Sequence, residues 1–141
     1  MQPSSRYTVA IHVLTLLAYG ANEPMTSEYI AESVNTNPVV IRRLLGTLRE
    51  ANLVTSQPGP GGGWQLLRAP KAITLRDVYR IVEADPLFAL HSNTPNPRCP
   101  VGGRIQGVLA TRFEEARVAL ENHLERTSIK DLLREVGAAR G

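Results

Sequence analysis

The sequence predicts a mainly α fold carrying one small β-hairpin, and three stretches predict it. Two short helical patterns joined by a tight turn lie within residues 26–51, a glycine-rich hairpin follows them directly, and a long helix with an apolar seam lies near the C-terminus. The first two occur in the order of a winged helix-turn-helix, an α+β unit, and the third adds a long helix beyond it.

In chain order, Ser4 or Ser5 caps a first helix from Arg6 to Tyr19. Its stripe of Val9, Ala10, Val13, Leu14, Leu16 and Leu17 is too wide for packing on one side, so a second covering surface is expected, and a partner subunit is one candidate. Gly20 and then Pro24 end it. The apolar run Val9–Ala18 follows Arg6 in the manner of a signal peptide. It is interrupted by His12 and Thr15 and falls well short of the about 20 residues a membrane span needs. His12 has no second ligand nearby and reads as a core-edge or surface histidine.

Thr26 caps the next helix, whose Ile30, Ala31 and Val34 make one apolar face. Asn35, Thr36 and Asn37 break it, and Pro38 supplies the preset φ of a first helical position. The helix from Pro38 to about Ala51 turns Ile41, Leu44, Leu45 and Leu48 inward, leaving Val39, Arg42, Arg43, Gly46 and Arg49 outward, with the three arginines on one exposed surface. Leu53–Ser56 and Trp64–Leu67 read as strands around a tip of Gln57–Gly63. The glycines are not a nucleotide-phosphate loop, because Trp64 stands where such a loop needs lysine. A helix-turn-helix places its second helix in the major groove, and an adjacent hairpin can lie along the backbone or minor groove. The DNA-binding set expected from this layout is Thr26, Thr36, Asn37, Pro38, Val39, Arg42, Arg43 and Arg49, with Gly61, Gly62 and Gly63 of the wing. A helical core with a merely decorative hairpin is the plainer alternative.

After a turn at Ala69–Ala72, Thr74 and Asp77 form an acidic capping box for a helix ending near Ala84, with Val78, Ile81 and Val82 on its apolar face. Residues Leu87–Gly103 have no period and contain three prolines after Ser92, the composition of a functional loop. From Arg104 to about Arg126 the helical period returns. Ile105, Leu109, Phe113, Ala116, Leu120 and Leu124 form nearly a heptad seam, and Glu114, Glu115, Arg117, Glu121 and Arg126 occupy the solvated surfaces. Such a helix overhangs a small domain, so the seam is the expected homodimer interface. Thr127 or Ser128 caps a last helix, Ile129–Val136, whose Leu132, Leu133 and Val136 dock back. The chain thus divides into a DNA-binding unit at 1–84, a sensor-like loop at 85–103 and a dimerisation and C-terminal part at 104–141.

The 141 residues suffice for one packed domain plus a long element, and 16 basic against 13 acidic residues permit a nucleic-acid partner without establishing one. A single cysteine excludes an internal disulfide, and no Cys/His spacing suits zinc, so a reducing cytoplasm without metal or cofactor is expected. No Ser/His/Asp order or carboxylate pair makes an enzyme, and His91 with Cys99 is a poor nucleophile–base pair.

Taken together, these pieces resemble the Rrf2 family of bacterial winged-helix regulators over nearly the whole length. The resemblance rests on the Arg6-Tyr7 opening, Leu44-Leu45-x-x-Leu48-Arg49-x-Ala51-x-Leu53-Val54, Gly62-Gly63-Trp64-x-Leu66, Ile73-Thr74-Leu75-x-Asp77-Val78 and Ser128-Ile129-x-Asp131-Leu132-Leu133. Cluster-binding members carry three cysteines where this chain has Cys99 alone, and Pro58 stands where the family commonly places a wing arginine. Asn37–Arg43, Leu87-Phe88 and Asn96-Pro97-x-Cys99-Pro100-Val101-Gly102 look like the single-cysteine, YwnA-like branch, which implies regulation without an iron–sulfur cluster. The leading reading is a dimeric transcription factor, a repressor in preference to an activator, on a pseudo-palindromic operator in double-stranded DNA. A small-molecule or oxidant effector is compatible with it. Cys99 is the candidate redox sensor: a nearby helix N-terminus with Arg98 and Arg104 would favour thiolate, whereas burial against Leu87, Phe88 or Val101 would leave it inert. The alternative is a winged-helix module that binds a protein or small ligand without redox sensing.

Overall fold

The computed structural model describes residues 4–83 and 85–137. The elements run α1 (Arg6–Gly20), α2 (Ser27–Val34), α3 (Pro38–Glu50), β1 (Val54–Gln57), β2 (Gly63–Leu66), a 3-10 turn (Pro70–Ala72), α4 (Leu75–Val82), α5 (Ile105–Leu124) and α6 (Ile129–Glu135). The fold is α+β, a helical body with a two-stranded antiparallel wing in which Val54 pairs with Leu66 and Gln57 with Gly63. The ladder is shifted one residue toward the turn relative to the expected strands, taking in Gln57 and Gly63 and leaving Pro58–Gly62 as the tip. Leu53 is drawn into the core instead, its N–H bonding the carbonyl of Leu48 as α3 closes.

Local chemistry sets most boundaries. Thr26, Asn37, Thr74 and Ser128 each cap a helix with a side-chain oxygen, and Asp77 and Asp131 complete reciprocal capping boxes. Asn35 ends α2 in the left-handed region at φ 64°, which asparagine tolerates better than most residues. α1 departs from expectation at its end: Gly20 is its last helical residue and Ala21 takes the positive φ. A Cβ at Gly20 would sit 2.4 Å from Met25 Cε, the far end of a flexible side chain that can turn aside. The expected end of α4 near Ala84 lies outside the described residues.

α1 is the centre of the core. Ala10, Val13, Leu14 and Leu17 pack with Ile30, Ile41, Leu45 and Leu48 of the helix-turn-helix and with Ile73, Val78 and Ile129 from the second half. The second side of its wide stripe is therefore covered by α4 and α6 of the same chain, with no partner needed there. The N-termini of α4 and α6 join back to back: Leu75 N–H donates to Thr127 O and Ile129 N–H to Ile73 O, both at 2.9 Å. Ile129 is the residue that anchors α6, while Val136, expected to dock, is 66% exposed about two turns beyond it.

α5 packs differently. Of its described residues only Glu121 is buried, and the seam residues Ile105, Leu109, Phe113, Ala116, Leu120 and Leu124 are all half-exposed. Glu121 was expected on the solvated face, but its neighbour α4 brings Arg80 to it, so the charge is buried with a partner. Phe88 of the preceding loop lies against Phe113 with ring centroids 4.9 Å apart.

Candidate nucleic-acid interface

α2, the Asn35–Asn37 turn and α3 form a helix-turn-helix, and the wing is stitched to its base. Met25 and Trp64 exchange two backbone hydrogen bonds, 3.0 Å and 2.7 Å, immediately before the Thr26 cap. This places wing and recognition helix in fixed relation. Gly63 makes the approach feasible: a Cβ there would lie 2.6 Å from the Met25 carbonyl, and its φ is +150°. Gly62 is equally confined, with the Gln57 carbonyl oxygen 2.1 Å from its would-be Cβ. These two glycines are thus explained by the wing's own geometry, whereas nothing crowds Gly61 except its left-handed φ of +75°.

At 100° per residue, α3 presents Val39, Arg43 and Gly46 directly away from its core side, with Arg42 and Arg49 on the flank toward α2 and the wing. Val39 is 51% exposed. Expectation placed all three arginines on one free surface, and the structure divides them. Arg42 Nη2 meets Glu28 Oε1 at 2.5 Å and its Nε donates to Ser27 Oγ at 3.1 Å. Arg49 lies over the Trp64 ring, 5.3 Å from its centroid, and so braces the wing. Among the described residues Arg43 has neither an ion pair nor a hydrogen bond through its side chain. Glu28 is held below the usual carboxylate range by its backbone N–H hydrogen bond and by Arg42.

Thr26 and Asn37 are exposed and already serve as caps, Thr26 Oγ1 accepting from Tyr29 N–H and Asn37 Oδ1 from Val39 N–H. Pro38 occupies the first turn of α3, and Thr36 lines a cavity beside it. Sequence reasoning missed Ser27, Glu28 and Trp64, whose roles depend on contacts across the fold, and Arg6, whose Nη2 donates to Thr47 Oγ1 on α3 at 3.1 Å. His12 is exposed and shares a hydrogen bond with Ser33.

Cys99 lies in the loop before α5 and is exposed, so burial against Leu87, Phe88 or Val101 does not occur. Backbone N–H groups of Gly102 and Val101 hold its thiol below the ordinary value, favouring thiolate. The loop is tight: Cys99 N–H bonds Asn96 O, and Gly103 N–H bonds Cys99 O at 2.9 Å.

Residues 3–135 match the Rrf2 family model, described as an iron-dependent transcriptional regulator. YwnA of Bacillus subtilis (strain 168), named an HTH-type transcriptional regulator, is 47% identical over 131 residues, covering 92% of this chain and 96% of that one. A crystal structure described as that of a DNA-binding protein shares 42% identity at a TM-score of 0.73, covering 92% of this chain and 99% of the other. A Lactobacillus plantarum regulator of known structure, 23% identical, has the same fold at a TM-score of 0.80, over 94% of this chain and 90% of its own.

The family description names iron, and the donor set here does not fit it. The chain has one cysteine, and among the described residues no group of three or more His, Cys, Asp or Glu converges to hold a metal. Nor is any described helix long and apolar enough to cross a membrane. With family match, fold and wing in agreement along nearly its whole length, the chain belongs to the Rrf2 family of transcriptional regulators and is not an enzyme.

Proposed function

We propose that the chain is a cytoplasmic, sequence-specific repressor that binds a pseudo-palindromic operator as a homodimer and responds to thiol oxidation through Cys99. The observation that carries the DNA reading is the solvent face of α3, where Val39, Arg43 and Gly46 stand open beside a wing fixed by the Met25–Trp64 pairing. In this reading Val39 meets a base edge, Thr36 and Asn37 lie near phosphates, and Gly61 lets the wing tip approach the backbone. Occupancy of the operator would block transcription.

Dimerisation is supported by the condition of α5. A helix of 20 residues, about 30 Å long, leaves its apolar seam only partly buried in its own chain, and Leu109, Phe113 and Leu120 suit a second copy. The two-fold axis of such a dimer would set half-sites about 34–36 Å apart, or a multiple of that.

For Cys99, exposure and a thiolate-favouring loop support reaction with an oxidant. Peroxide would convert the thiolate to a sulfenic acid as its own O–O bond is reduced. A small thiol, or Cys99 of the partner subunit, would then displace water to give a disulfide. Either product sits at the base of α5 and would shift the two wings relative to each other.

The test selects a duplex from random or genomic sequence and measures binding to it across salt concentrations. Titration with peroxide follows, in the native protein and in Cys99→Ser. Salt-dependent, sequence-selective binding is the expected result. Equal peroxide responses, or none in either protein, would end the thiol switch and leave the DNA reading intact.

A further inference from the structure

The geometry points to a phosphate clamp on the α1 side of the recognition helix, made by Arg6 together with Arg43 and Thr36. It rests on the DNA-binding reading and adds a contact on the flank opposite the wing. A cavity of about 280 Å³ opens there, lined by Ser4, Ser5, Arg6, Thr36, Val40 and Arg43 among others, and no acidic residue lines it. Arg6 reaches it from α1 while donating to Thr47 Oγ1, so the two helices hold two guanidinium groups around one concavity.

Several arginines, Arg49, Arg68, Arg98, Arg104 and Arg126 among them, have no carboxylate partner among the described residues, but of the unpaired cations only Arg6 and Arg43 line one cavity together. Arg42, Arg76, Arg80, Arg112, Arg117 and Arg134 each pair with a carboxylate. Arg6 and Arg43, which share a cavity, have no carboxylate partner among the described residues. Two like charges facing one hollow with hydroxyls beside them suit an anion with several acceptor oxygens, and arginine's planar fork matches phosphate.

Position on α3 selects the source of that phosphate. Val40 and Thr47 lie on the flank toward α1, and Arg42 and Arg49 on the flank toward the wing. A helix about 10–12 Å across fills a major groove about 12 Å wide, so one backbone strand passes along each flank. The wing meets one strand, and the first turn of α1 meets the other. Arg43 then positions the helix on the backbone and does not read a base.

The test is the salt dependence of binding to a mixed-sequence duplex and to the selected operator, for the native protein, Arg6→Gln, Arg43→Gln and Thr47→Val. The clamp predicts that Arg6→Gln and Arg43→Gln each weaken both duplexes by the same factor and reduce the salt slope by about 1. Thr47→Val, which removes the hydrogen bond steadying Arg6, should weaken both duplexes to a smaller extent and leave helicity unchanged by circular dichroism. An unchanged slope in Arg6→Gln, or a loss in Arg43→Gln confined to the operator, overturns the clamp. Calorimetry with inorganic phosphate supplies the other arm: saturable binding lost in both arginine variants, with DNA slopes unaltered, would reassign the cavity to a small anion and likewise overturn it. Failure of the native protein to bind either duplex would instead remove the DNA reading beneath it.

Discussion

Arg80 of α4 and Glu121 of α5 meet across the junction between the winged body and the long helix, with nitrogen and oxygen 2.5 Å apart and Glu121 only 5% exposed. One turn along, Arg76 pairs with Glu125 at 2.9 Å, and Arg117 of α5 closes on Glu121 from its other side. The described part of α5 is thus tied to the body by these ion pairs, while Phe88 covers part of its apolar seam at Phe113 and the rest of the seam stays half-exposed. A joint of this kind fixes the angle between wing and long helix through a few charge-assisted hydrogen bonds.

Acid should loosen this joint. Arg80 first, and then Arg117, hold the Glu121 carboxyl below the usual range. A carboxylate depressed in the folded state contributes stability that is complete above its unfolded pKa, about 4.3, and lost as pH falls through the lower folded value. Glu121→Gln should lower the unfolding temperature by a few degrees near neutrality and flatten its decline in acid. Thermal melts across pH check this; parallel curves for the two proteins would show the pair to be idle.

Glu28 restrains Arg42, a cation of the proposed DNA-binding set. Glu28→Gln removes the ion pair on Arg42 and one negative charge beside α3, so affinity for mixed-sequence duplex should rise severalfold at low salt and by less at high salt. Fluorescence anisotropy at two ionic strengths measures it. Reduced affinity would mean that Glu28 positions Arg42 productively.

The glycines of α3 and the wing should respond in opposite ways. Gly63→Ala forces a Cβ against the Met25 carbonyl at a strained φ and should destabilise by about 1–3 kcal/mol. Gly46 is helical with open space around its Cβ position, so Gly46→Ala should stabilise by about 0.5–1 kcal/mol. If α3 enters the groove, the added methyl should also weaken DNA binding despite the gain in stability. Denaturant melts together with binding separate these effects.

Charged residues in the seam should dissolve the proposed dimer. Leu109→Glu with Phe113→Glu places two carboxylates in the middle of the half-exposed face and should give a folded monomer with weak operator binding. Sedimentation that finds the native protein monomeric at working concentration would sink the dimer itself.

Burial should also mark the edge of the core. Tyr7 donates from its hydroxyl to Leu75 O at 2.6 Å and packs edge-on to Tyr79, and burial pushes its pKa up to about 12. Tyr7→Phe loses that hydrogen bond and should cost about 0.5–1.5 kcal/mol with DNA binding unaltered. A spectroscopic titration that puts the phenol at its ordinary value would contradict the buried placement.

By itself, the sequence determined the helix order, the Thr26 and Thr74 caps, a last cap at Thr127 or Ser128, the Pro38 start of α3 and the glycine wing. Each is a local signal in which a residue type answers a backbone demand within about one turn of itself. Local order could not show which charges are occupied. Only tertiary structure brought Glu28 to Arg42, Trp64 to Arg49 and Arg80 to Glu121, because these partners meet through chain closure and not through spacing. The same closure wrapped α1 in α4 and α6, put Ile129 in the core in place of Val136, and left Cys99 exposed. Periodicity reports that a residue lies on a face; what covers that face, and whether an arginine on it is free, depends on segments far along the chain.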